Sequence, residues 1–359
     1  MRVPARISPR GRRTRLAAAA AAAVLAAATA LAVAPAGRSV AVSGPPAPGY
    51  VFVHDPSMAR EGGTYYLFST GDPAGQIGNG NIQLRTSRGL RTWAFQGTVF
   101  SQQPGWITAA LGKIPNLWAP DISYFAGQWH LYYAGSSFGS SNSVIGLATA
   151  PTLDPASPRY HWTDQGQVFR SSSGDGFNAI DPSLVSTPSG EKWLVFGSFW
   201  SGIKLLRLDP ATGKPAGTPP AVYSLAQQPA PDPLEGAGIT FHDGYYYLFA
   251  SLGFCCRGLT STYRIIVGRS RAVTGPYLDP AGAPMMNAGG MEVQGTDEGM
   301  IGPGSESVFT AGGRSYLVYH YYDAFHNGDP WVQVRPLAWT AGGWPVTGAP
   351  LVPVPGSAP

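Results

Sequence analysis

Acidic residues stand at recurring places ahead of aromatic-rich segments. Asp55 lies in His54-Asp55-Pro56-Ser57, Asp181 in Ile180-Asp181-Pro182-Ser183, Asp121 in Trp118-Ala119-Pro120-Asp121, and Glu235 in Leu234-Glu235-Gly236. A lone Asp-Pro pair commonly opens a turn, and Asp55 by itself reads that way. Several carboxylates gathered in one place do something else. Each disfavours ionisation of the next, so at least one keeps its proton where an isolated carboxyl would lose it. One ionised and one protonated carboxyl are what general acid–base hydrolysis requires. Everything therefore turns on whether the fold brings these positions together.

Five segments share one form: a small or acidic residue, an apolar strand, a short turn and an aromatic strand. They start at Asp55, Asp121, Asp181, Glu235 and Gly304. Period-2 alternation in YYLFS (65–69), HLYYA (130–134), WLVFG (193–197) and YLVYH (316–320) predicts strands. Turns such as Glu61-Gly62-Gly63 and His242-Asp243-Gly244 separate them. Each unit has room for about four strands, and five such sheets predict an all-β, five-bladed β-propeller over residues 45–355. A pair of β-sandwiches would not place the same acidic start in four units. In a propeller the first strand of each blade is innermost, so Asp55, Asp121, Asp181 and Glu235 are expected to ring one funnel mouth. The proline after Asp55 and after Asp181 is expected to push each toward extended geometry and so set the angle of its carboxylate.

Composition agrees with this class. Gly 47 and Pro 34 imply many turns, and Trp 10, Tyr 17 and Phe 15 suit strands rather than helices. A charged fraction of 12% lies well under the roughly 25% of ordinary soluble domains, which suits a secreted protein handling a neutral ligand. Residues 1–15 carry six arginines, and residues 16–34 are an unbroken small apolar run ending in Ala32-Val33-Ala34. This predicts a cleaved signal peptide over 1–36 and a secreted product. The run nears the length of a membrane anchor, but its alanine-rich character favours release; Arg12-Arg13 would also fit a twin-arginine signal. Removing the six arginines takes the formal charge from +4 to −2. The basicity belongs to the leader, nothing points to nucleic acid or, after cleavage, to a membrane, and a monomer is expected. Cys255 and Cys256 are the only cysteines. Neighbours cannot staple distant segments, and two thiols are too few for a structural zinc site. They read as small packed residues, with a redox role or a vicinal disulfide as the alternative.

Taken in order, the motifs resemble those of glycoside hydrolase family 43, in particular the endo-acting α-1,5-arabinanases. The resemblance runs over roughly residues 50–350 and rests on residues 54–57, 118–122 and 179–183, on FGSFWSG (196–202), on 234–236, on FCCRGLTSTYRIIVGRS (254–270) and on YHYYD (319–323). It implies an inverting hydrolysis of arabinan, the pectin side chain, with no cofactor in the chemistry. Asp55 matches the general base, Glu235 the general acid, and Asp181 the residue that orients Glu235 and keeps its pKa high. Inversion needs base and acid about 6.5–9.5 Å apart, with a water between. Asp121 receives no leading role and reads as structural or binding. Trp118 and Phe138 are the candidate sugar platforms, with Asn116, Asn178, Ser198 and Trp200 as further substrate-binding candidates; core packing is the commoner role for any single aromatic.

Many members of the family place a histidine after Gly-Pro-Gly in the fifth blade, where it helps hold an axial ion, often calcium. Here Ser305 stands in that place and Glu306 follows. Either the ion is absent, or waters and another residue hold it. His320 is the candidate ligand, although a lone strand histidine is more often packed or hydrogen-bonded. Within the family, an exo-arabinanase, an α-L-arabinofuranosidase or a β-xylosidase are the alternatives, decided by loops such as 71–81 and 284–302. The retaining fructan hydrolases carry Asn-Asp-Pro-Asn and Arg-Asp-Pro motifs, which this chain does not match. A non-catalytic glycan-binding propeller would have lost one of Asp55, Asp181 and Glu235, and all three are present.

Overall fold

The computed structural model describes residues 53–75 and 77–354. The expected leader, residues 45–52 and residue 355 lie outside the described residues. Twenty strands form five four-stranded antiparallel sheets, spanning 57–98, 118–171, 183–226, 234–294 and 300–347, each with its strands in chain order. The expected five-bladed propeller is the fold. The only α-helix among the described residues, Gly105–Leu111, sits in the link between the first two blades.

The first strands of the blades are Ser57–Glu61, Trp118–Phe125, Ser183–Ser186, Leu234–His242 and Met300–Ala311. They pack on one another in cyclic order, the fifth meeting the first, and all begin at the same end of the axis. Alternation explains why. In the second strand of blade one, Tyr66 and Phe68 join Ile122 and Leu131 of blade two, whereas Leu67 joins Val318 and Val332 of blade five. Successive side chains of a strand point to opposite faces, so each sheet feeds two interfaces. Five apolar clusters result, one between each pair of neighbouring blades.

A cycle of hydrogen bonds joins the inner strands. Ile122 N–H donates to Ser57 Oγ at 3.1 Å, Leu184 N–H to Asp121 Oδ2 at 3.0 Å, and Gly236 N–H to Asp181 Oδ2 at 3.1 Å. Ser305 N–H then donates to Ser251 Oγ at 2.6 Å, and Ser307 Oγ closes the ring on the Pro56 carbonyl at 2.9 Å. Val53 N–H adds a bond to the Pro330 carbonyl at 3.0 Å, tying the start of the described chain into the last blade.

The structure corrects two expectations. Asp55 and Asp181 are not extended; they take φ of 53° and 55°, the left-handed region that aspartate tolerates better than most residues. The neighbouring blades override the bias imposed by the following proline. The same backbone turn recurs at Ala119, Gly236 and Ser305, which marks the true equivalents of Asp55 and Asp181. Each lies two residues ahead of Ser57, Asp121, Ser183, Gly238 and Ser307, which pair with the second strands. Asp121 is therefore not a member of the mouth. It is a buried staple between blades two and three, and burial raises its pKa to about 6 despite the bond from Leu184.

Asp121→Ala strands the Leu184 N–H, and a loss of about 1–3 kcal/mol in urea unfolding is expected. A loss within about 0.5 kcal/mol, as for an ordinary surface change, would show the staple to be dispensable.

Candidate active site

Three carboxylates from three blades meet where the inner strands begin. Asp55 closes blade one at the axis. Its N–H donates to His320 Nδ1 at 3.2 Å, its Oδ2 accepts from Thr70 Oγ1, and Thr70 Oγ1 in turn accepts from Ala119 N–H at 2.8 Å. The carboxylate is thus fixed from blades one, two and five, with 22% of its side chain open to solvent.

Asp181 and Glu235 form the other half. Asp181 holds the backbone N–H of Gly236, the residue after Glu235, and so fixes the strand that carries it. Glu235 accepts from Ser198 Oγ on Oε2 at 2.5 Å and from the Tyr263 hydroxyl on Oε1. Burial first, then the charge of Glu235, holds Asp181 well above the usual carboxylate range. Burial and then Asp55 raise Glu235, while the hydroxyls of Ser198 and Tyr263 oppose the rise. Asp181 was expected to push Glu235 upward. Both carboxyls are raised, and Glu235 has two hydroxyl donors where Asp181 has one backbone amide. The cluster still retains a proton at pH values where free carboxyls are ionised, beside a more open carboxylate at Asp55.

His320 is fully buried, and desolvation followed by the neighbouring His54 drives its pKa well below 6.5. It is neutral, so its 3.7 Å approach to Asp55 Oδ1 is not a salt bridge. Nδ1 accepts from Asp55, leaving Nε2–H to face Tyr322 Oη at 3.3 Å. His54, Asp55 and His320 do place one ligand atom each within 4.8 Å of one another. Two imidazoles and one carboxylate do not fit calcium, which takes six to eight oxygens, and both nitrogens of His320 are already engaged.

The sugar-binding candidates separate into two groups. Asn116 is buried, donates to the Gly71 carbonyl at 2.8 Å and accepts from Trp118 Nε1 at 2.9 Å, so it aims the half-buried Trp118 rather than lying open itself. Asn178 is buried and accepts from Ser143 Oγ at 2.6 Å. Ser198 is the partner of Glu235. Phe138 at 81% and Trp200 at 41% exposure remain available as platforms.

The cysteines depart from the favoured reading: Cys255 and Cys256 are disulfide-bonded to each other. The backbone turns at Cys256, φ 64°, and its N–H donates to Tyr322 Oη at 2.6 Å. Arg257 beside it lies 4.2 Å over the ring of Phe254, which is 5.9 Å from Phe199. Thr70, Tyr263 and Glu306 were not singled out for the site. Tyr263 did lie inside the FCCRG block, but no local pattern distinguishes a phenol aimed at an acid from a core tyrosine.

Residues 49–345 match the family described as glycosyl hydrolases family 43. The chain is 40% identical over 295 residues to the extracellular endo-α-(1→5)-L-arabinanase 1 of Bacillus subtilis (strain 168), covering 82% of this chain and 87% of the relative. It is 39% identical over 307 residues to the extracellular exo-α-(1→5)-L-arabinofuranosidase of Cellvibrio japonicus (strain Ueda107), covering 82% and 86%. Among solved structures it is similar to the GH43 endo-arabinanase from Bacillus licheniformis, with TM-score 0.76, 44% identity and coverage of 83% of this chain and 98% of that one.

Below the three acids, Glu306 is buried with Oε2 accepting from Ser251 Oγ at 2.7 Å and Oε1 without a hydrogen-bond partner among the described residues. Burial raises its pKa to about 8. A raised carboxyl contributes fully below its unfolded value of about 4.5, and that contribution is lost as pH rises through the folded value. Glu306→Gln, which cannot ionise, is expected to gain thermal stability relative to the parent between pH 5 and pH 8. Melting curves differing by the same amount at both pH values would contradict a proton held on Glu306.

Proposed function

The chain belongs to family 43 of the glycosyl hydrolases, and on that footing we propose that it is a secreted endo-1,5-α-L-arabinanase acting by single displacement with inversion. The observation that carries the reading is the arrangement of Asp55, Asp181 and Glu235, one comparatively open carboxylate beside two whose pKa values are raised. Asp55, fixed by Thr70 and His320, takes the proton of the attacking water. Glu235 gives its proton to the glycosidic oxygen as the C1–O bond breaks, and Asp181 holds the strand of Glu235 in place through Gly236. Water attacks from the side opposite the leaving group, so the anomeric configuration inverts. No step is assigned to a metal ion.

Arabinan as substrate and action outside the cell are supported by the relatives from Bacillus subtilis and Cellvibrio japonicus, both named as extracellular. The endo mode is supported by the endo-acting relatives and by exposed aromatics, Phe138 and Trp200, that could seat rings beyond the cleaved bond. An exo mode is the second reading, because the relative from Cellvibrio japonicus is named for it.

Debranched linear arabinan distinguishes the modes. Early mixtures of oligosaccharides are expected, whereas a single product from the first time point would replace endo with exo action. Glu235→Gln and Asp55→Asn are each expected to lower kcat on arabinan by about 10²–10⁴-fold with the fold intact by circular dichroism. An inactive parent that still binds arabinan would make the chain a glycan-binding propeller instead.

A further inference from the structure

Glu235 is held by two hydroxyls of different character. Ser198 Oγ, on Oε2, is a small rotor that can donate or accept. Tyr263 is buried, and burial with the adjacent Glu235 charge keeps its phenol protonated well above pH 10. Its ring also has no freedom to swing away. It lies against Gly304, where an added Cβ would stand 2.3 Å from Tyr263 Cδ2 and 3.0 Å from Ser251 Oγ. A neighbouring glycine of the same Gly-Pro-Gly segment, Gly302, takes φ 56° and packs on Ser261, two residues before Tyr263. The segment 302–304 is thus the seat of this tyrosine.

We propose that Tyr263, seated in the notch left by Gly304, is the positioning residue of the general acid: its fixed O–H occupies Oε1 of Glu235 and so reserves Oε2 for the proton that is delivered. This deepens, and rests on, the reading of Glu235 as the acid. An O–H donor on Oε1 makes that oxygen the acceptor of the carboxyl, so the transferable proton resides on Oε2. Ser198 can adjust to either state there, donating to Oε2 when the carboxylate is bare and turning when it is protonated. In the reaction the Oε2–H bond breaks, the proton joins the glycosidic oxygen, and the C1–O electron pair leaves with that oxygen. The resulting carboxylate is met at once by both hydroxyls. Tyr263 therefore keeps one geometry throughout while Ser198 follows the proton.

The phenol favours the ionised acid, so removing it raises the pKa of Glu235. In Tyr263→Phe, kcat on linear arabino-oligosaccharides is expected to fall about 10–100-fold with KM within about twofold, part of the 10²–10⁴ available to a general acid. The alkaline limb of the pH profile of kcat/KM is expected to move upward by about one pH unit. On an arabino-oligoside with a dinitrophenyl leaving group, which departs without protonation, the loss is expected to shrink to a fewfold. Gly304→Ala, which retains the phenol but crowds its seat, is expected to shift the limb in the same direction. Two results would overturn the proposal: equal losses on both substrates with an unmoved limb, the mark of a merely structural tyrosine, or a rise in KM alone, the mark of a substrate contact. Failure of the parent enzyme to release sugar from either substrate would instead sink the underlying reading of the site.

Discussion

Closing five sheets around one axis is the constraint on which the rest of this molecule depends. Each inner strand must meet two neighbours without leaving an unpaired backbone group in the crowded centre. The solution is repeated at every blade: a left-handed residue two positions ahead of the uninterrupted pairing with the second strand, at Asp55, Ala119, Asp181, Gly236 and Ser305, then a polar bond across to the neighbouring blade. At two of the five positions the residue is an aspartate. Chemistry is thereby built from the same turn that elsewhere only closes the ring.

That placement sets the electrostatics. Carboxylates brought to one axis lose solvent and repel, so the cluster cannot ionise fully, and the local hydrogen bonds act against that rise. One backbone amide on Asp181 leaves it strongly raised, two hydroxyls on Glu235 moderate its rise, and partial exposure distinguishes Asp55. Buried neutral groups surround them. His320, Tyr263 and Glu306 carry no charge at neutral pH, which keeps the medium of low polarity while supplying fixed dipoles.

Much of this was legible in the chain. The period-2 aromatic runs announced strands, and the fivefold recurrence of the unit that carries them announced the blades. Four acids precede such runs, and the resemblance to family 43 singled out Asp55, Asp181 and Glu235 among them. The register could not be read to the residue. Asp121 fell two positions beyond the turn, since an acid in the bonded part of the strand looks the same in sequence as one in the mouth. Asn116 and Ser198 likewise became supports for Trp118 and Glu235, because a polar residue near a site gives no sign of whether it faces ligand or protein.

The sequence by itself determined the blade number and the aromatic strands, because those follow from alternation and its recurrence in each unit, and it offered four acids of which the resemblance to family 43 singled out three. Tertiary structure alone decided which acid stays partly open to solvent, which two are buried together, and which tyrosine touches Glu235. Those properties depend on desolvation and on contacts between blades: Thr70 with Ala119, Asp181 with Gly236, Tyr263 against Gly304. The vicinal disulfide belongs to the same group. Two adjacent cysteines are compatible with either state, and only the turn at Cys256, held by Tyr322, brings their bonding into the wall of the site.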